Sequence, residues 1–71
     1  MTNPYQELLD KLGTQARACE AIGVSGGLYS RYRRGERHPS PQHALTLAIR
    51  LSAALDREIT PLDLIYFQPD A

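Results

Sequence analysis

Four arginines, Arg31, Arg33, Arg34 and Arg37, crowd the stretch just after a Gly-Val-Ser tripeptide at 23–25. A guanidinium is a rigid, permanently charged fork of donors. It matches the paired oxygens of a phosphate and the acceptor edge of guanine. On a helix of about 3.6 residues per turn, Gly27, Ser30, Arg31 and Arg34 share one side, and Leu28, Tyr29 and Tyr32 lie nearly opposite. A helix backed by apolar residues, with a small and arginine-bearing outer face, suits the major groove of duplex DNA. The competing reading is an ordinary solvated charge run, the commoner origin of such clusters. Arg31 and Arg34 point outward with Ser30, so they are candidates for base edges. Arg33 and Arg37 lie toward the helix edge and the next loop, where phosphate contact is expected.

Such a helix must be held by others. Gly23 can end a preceding helix in the left-handed conformation, Val24 can fill the angle, and Ser25 can cap the arginine-bearing helix. That preceding helix starts at the cap Thr14 and turns Ala18, Cys19 and Ile22 inward. The two together form a helix-turn-helix layout over 14–35. Asn3-Pro4 opens an earlier helix with Tyr5, Leu8, Leu9 and Leu12 as its buried stripe and Gly13 at its end. Glu36 to Ser40 forms a polar loop. Ser40-Pro41 starts the longest helix, to about Leu55, whose main core stripe is Ala44, Ala48, Leu51 and Leu55. Thr60-Pro61 with Asp63 opens a last short helix through about Phe67. The expected fold class is all-α, a compact bundle of about five short helices forming one domain over 1–71. Met1-Thr2 and Gln68 to Ala71 are expected as loose ends.

The helices at 41–67 hold more apolar residues than one buried side needs. Leu45, Ile49, Leu64 and Phe67 are therefore expected at a dimer interface, unless these helices simply cover each other. Gly26-Gly27 is either a flexible helix start or a place of close approach to the groove. Leu28 fits the core edge or a thymine methyl contact. Tyr29 and Tyr32 are expected in the core, the alternative for Tyr32 being a hydroxyl lent to a phosphate.

Composition sets the outer bounds. A chain of 71 residues buries only about 60% of its unfolded surface, so good helix packing or a partner must supply its stability. One cysteine, Cys19, allows no internal disulfide and is expected as a small buried residue. Net charge is formally zero, yet residues 14–39 carry Arg17, Arg31, Arg33, Arg34 and Arg37 against Glu20 and Glu36. The remainder is acidic, so the molecule is polarised. Cys19, Glu36, His38 and His43 lack zinc-ligand spacing, and no set of His, Cys and carboxylates has catalytic spacing. No cofactor, metal or enzyme activity is expected. With no membrane-length apolar run and no signal pattern, a cytoplasmic, nucleoid-associated location is expected.

The run G-T-Q-A-R-A-C-E-A-I-G-V-S, then Y-S-R-Y-R-R-G-E-R and a proline-started helix, resembles Cro-type phage repressors and the related YdaS-like antitoxins. The segment I-T-P-L-D-L is similar to the final capped helix of the YdaS-like group. The resemblance implies a dimeric or dimerising operator binder encoded by a phage or prophage, here expected as a homodimer that can form on DNA. It implies phosphate contact at Gln15, at the start of the second helix. Ser25, Gly26, Gly27, Ser30, Arg31 and Arg34 would face the groove. Gly26 and Gly27 depart from the longer side chains usual in that family.

The expectation is thus a transcriptional repressor reading the major groove with the helix at 26–34. Thr14, Gln15, Arg33 and Arg37 would hold phosphates of double-stranded DNA. A toxin-linked antitoxin that also binds DNA is the nearest alternative. A helical protein-interaction module without DNA binding is the alternative of another class.

Overall fold

The computed structural model describes residues 3–67. Five helices occur in order: α1 Pro4–Leu12, α2 Gln15–Ile22, α3 Gly26–Arg34, α4 Pro41–Leu55 and α5 Pro61–Ile65. No strand occurs among the described residues. The all-α expectation holds, with α5 ending two residues before Phe67. The tails expected as loose, Met1-Thr2 and Gln68 to Ala71, lie outside the described residues.

Local chemistry sets each start. Asn3 Oδ1 accepts from the amides of Tyr5 and Gln6, and Thr14, Ser25 and Ser40 accept from Arg17, Leu28 and His43. At α5 the exchange is reciprocal. The Thr60 hydroxyl accepts from the Asp63 amide, and the Asp63 carboxylate accepts from the Thr60 amide at 2.9 Å. The α2–α3 turn depends on Gly23, which takes φ 71° and returns its N–H to the Cys19 carbonyl at 2.7 Å. The α4 terminus uses Asp56 at φ 55°, the one non-glycine left-handed residue among those described. Aspartate tolerates that conformation better than most side chains.

Helix α4 is the hub, with α1, α2 and α5 packed on it, whereas α3 rests on α1 and α2. The core comprises Tyr5 and Leu8 of α1, Ala18, Cys19 and Ile22 of α2, and Tyr29 and Tyr32 of α3. It continues with Ala44, Leu47, Ala48, Leu51 and Leu55 of α4, then Ile59, Leu64 and Phe67. Ala18 is fully buried, and its small side chain suits the close packing of α2 and α3. Leu9 and Leu12, expected in the α1 stripe, are only partly buried. Leu47 joins the α4 face instead.

Two of the four residues expected at a dimer interface are core residues of the protomer. Leu64 is 0% exposed and Phe67 is 3% exposed. Phe67 turns in behind α5 and sets its ring 5.8 Å from that of Tyr5, edge to face. His38 from the α3–α4 loop donates from Nε2 to the Phe67 carbonyl at 2.6 Å, tying down this segment. Counting apolar residues per helix misses this because Phe67, just beyond α5, packs against Tyr5 of α1. Leu45 and Ile49 remain 55% and 64% exposed, as do Leu62 and Tyr66 of the α5 region at 62% and 73%.

Candidate nucleic-acid interface

The orientation of α3 is fixed by its buried tyrosines. The Tyr5 ring stands between α1 and α3, 6.1 Å from Tyr29 and 5.6 Å from Tyr32. The Tyr29 hydroxyl donates to the Tyr5 carbonyl. Burial pushes the Tyr29 phenol up to about 12 and raises Tyr5 and Tyr32 as well. The Tyr32 hydroxyl pairs with His43 Nδ1 at 3.2 Å. It is therefore engaged inside the protein rather than offered to a phosphate.

With that side turned inward, the other side of α3 faces water. Ser25, Gly26, Gly27, Arg31 and Arg34 are exposed, and Leu28 and Ser30 are half-buried. Leu28 packs against the edge of the core. Thr14 is exposed at the start of α2, and Gln15 beside it is half-buried. Their arrangement ties the two helices together. Gln15 Nε2 donates to the Gly26 carbonyl at 3.0 Å, and its Oε1 accepts from the Ser30 hydroxyl at 3.3 Å. Thr14 and Ser25 use hydroxyl lone pairs as caps, which leaves each hydroxyl proton free to donate outward.

The basic side chains fall into two groups. Lys11 donates to the Ala54 carbonyl at 2.6 Å, and Arg57 grips Glu7 through two bonds of 2.9 and 3.0 Å. That pair lowers the Glu7 carboxyl below its usual range by hydrogen bonding and raises Arg57. The Arg50 guanidinium lies over Gly23, in the space where a β-carbon would stand. Gly23 is favoured by its φ of 71°, and its missing side chain also leaves room for the flexible Arg50 head. Lys11 and Arg57 thus tie α1 to the end of α4 and the residues after it.

Arg17, Arg31 and Arg37 are exposed and make no ion pair among the described residues. Arg34 is paired with Glu36 at 2.6 Å, both half in water. Such an exposed pair is worth about 0–1 kcal/mol, so a competing anion can draw Arg34 away. Arg33 differs from its neighbours. It is half-buried, its Nη1 donates to Gln6 Oε1 at 3.1 Å, and its Nε is buried without a partner. Sequence spacing places Arg33 at the helix edge but gives no sign of the bridge to α1. Arg50 escapes a sequence reading as well, since nothing in its neighbourhood along the chain points to the α2–α3 turn.

The base-contact candidates Ser25, Gly26, Gly27, Ser30, Arg31 and Arg34 therefore stand along one helix, with Thr14 and Gln15 flanking its start. Arg33 and Arg37 stand at its end and just beyond. Leu45 and Ile49 belong to α4, apart from this helix. Among the described residues no group of His, Cys and carboxylates could hold a metal ion. Among the described residues no helix is long and apolar enough to cross a membrane. The family model described as Helix-turn-helix matches residues 6–62. Neither the curated proteins nor the solved structures provide a match to the chain.

Proposed function

The chain belongs to the helix-turn-helix family of DNA-binding transcription regulators, and on that premise we propose that it is a sequence-specific repressor of phage or prophage type, related to Cro. The observation that carries this reading is the unpaired Arg31 on the exposed face of a helix whose opposite face is locked by Tyr29 and Tyr32. In the groove, Arg31 and a released Arg34 take guanine edges, and Ser30 takes a neighbouring base. Each bidentate pair contributes about 1–3 kcal/mol of discrimination. On this reading Thr14, Gln15, Arg33 and Arg37 take backbone phosphates beside the groove, and Ser25 caps the helix start. Occupying a promoter in this way excludes polymerase. The reaction is binding alone, with no cofactor, and its setting is the cytoplasm at the nucleoid.

One protomer reaches only a half-site, so the proposal includes a homodimer. Leu45 and Ile49 are one helical turn apart on α4, and Leu62 and Tyr66 are one turn apart in the α5 region packed on it. A contiguous exposed apolar patch is the usual mark of an association surface, and we assign these four side chains to one. A two-fold contact through them would hold two copies of α3 roughly 34 Å apart, one DNA turn. Protomers measuring 25 × 25 × 22 Å have the right span for that.

Selection of bound duplexes from a random pool, with titration of the winner against a scrambled duplex, tests the reading. A pseudo-palindromic winner bound two protomers at a time supports it. Equal affinity for both duplexes would overturn sequence-specific repression.

A further inference from the structure

Gly26 and Gly27 are unexplained by anything inside the protein. Positive φ among the described glycines is confined to Gly13, Gly23 and Gly35, so the backbone at 26 and 27 suits any residue. Space does not require glycine either. A β-carbon on Gly27 would find no atom within 4 Å, and one on Gly26 would meet only Gln15 Nε2 at 3.4 Å, an ordinary contact. Both positions are exposed, in the first turn of a helix that glycine disfavours. Neither backbone conformation nor space within the described residues requires glycine at these two positions.

Gln15 stands over the same spot. Its amide orientation is fixed, because the Gly26 carbonyl can only accept and must face the NH₂ group. The Ser30 hydroxyl then donates to its oxygen. A primary amide has two N–H donors and two lone pairs, and these bonds use one of each. One donor and one acceptor remain on a side chain oriented by those two bonds. That pair matches the N6/N7 edge of adenine.

We propose, on the premise that the protein is a groove-reading repressor, that Gly26-Gly27 is a notch in which the α3 backbone seats directly against base edges, and that Gln15 reads an adenine there. The absent side chains let α3 sit deeper in the groove, which brings the start of α2 within reach of a base. Gln15 would then specify sequence instead of merely anchoring a phosphate. Its bonds to Gly26 and Ser30 set the angle at which it does so.

The test uses the full chain and the duplex it selects from a random pool. Gly27→Ala, and separately Gly26→Ala, should raise the melting temperature of the free protein by roughly 2–8 °C. The same variants should bind the selected duplex about tenfold or more weakly, since a methyl group overfills a close contact. Variants that bind as tightly as the parent would remove the notch, while leaving DNA binding itself intact. For Gln15, each adenine of the selected duplex is replaced in turn by 7-deazaadenine. One such position should cost the parent about three- to tenfold in affinity and cost Gln15→Ala almost nothing further. Equal losses for both proteins at every adenine, or a selected site without adenine, would overturn the assignment to Gln15. A parent that binds no duplex would overturn the repressor reading and this one with it.

Discussion

Arg33 on α3 donates from Nη1 to Gln6 Oε1 on α1 at 3.1 Å, and the Arg33 carbonyl accepts from Asn3 Nδ2 at 3.0 Å. The first turn of α1 thus grips the last turn of the proposed reading helix. Asn3 also caps α1, so one side chain sets both the helix start and its tie to α3. Arg33→Ala should lower the stability of the free protein by about 1.5–3 kcal/mol, the usual worth of a hydrogen bond with one charged partner. Arg31→Ala, on the open face, should stay within about 0.5 kcal/mol. Urea denaturation of both variants without DNA checks this. Equal stabilities would leave the Arg33–Gln6 bridge without energetic weight.

Alkaline pH should unlock the same region. The phenols of Tyr5, Tyr29 and Tyr32 are raised by burial, that of Tyr29 to about 12. A group whose folded value lies above its unfolded value, about 10 for tyrosine, stabilises the fold fully below that unfolded value. The stabilisation is lost as pH rises through the folded value. Helical circular dichroism should therefore persist past pH ~10. It should collapse together with the phenolate absorbance of these three rings. Their ionisation near the ordinary value with helicity intact would contradict their burial.

The elements were legible because each start has a polar cap and each apolar stripe has a helical period. Asn3, Thr14, Ser25, Ser40 and Thr60 all cap as their types imply. The outward face of α3 was legible for the same reason, since Tyr29 and Tyr32 fix its inner side. Contacts between helices distant along the chain were not. Periodicity places a residue on a face of its own helix, but it does not say what crosses that face. Phe67 over Tyr5, Arg33 on Gln6 and Arg50 over Gly23 all arise from packing of that kind.

Burial divides Leu45, Ile49, Leu64 and Phe67 into two exposed and two core residues. Leu64→Ala should cost about 2–5 kcal/mol of protomer stability through a cavity. Ile49→Asp, at an exposed site, should leave folding within about 0.5 kcal/mol and shift sedimentation toward monomer. With Leu45→Asp added, binding of a second protomer to the selected duplex should be lost. A protein that stays monomeric on DNA, bound equally well with either aspartate, would remove the proposed homodimer.

The exposed cations outside the base-reading set should behave as phosphate neutralisers. Arg37→Ala should weaken binding to any duplex and flatten the plot of log affinity against log salt by about one unit of slope. An unchanged slope would take Arg37 off the DNA backbone.

Discrimination by Arg31 bears most directly on the claim that α3 reads base sequence. The measurement is the affinity ratio between the selected duplex and its scrambled counterpart, at one salt concentration, for the parent, Arg31→Ala and Arg34→Ala. Each substitution should narrow that ratio by about 1–3 kcal/mol, with the larger effect at Arg31, which has no Glu36 to leave. A ratio that survives Arg31→Ala unchanged, with both affinities falling together, would contradict groove reading by this helix and place Arg31 on the phosphates.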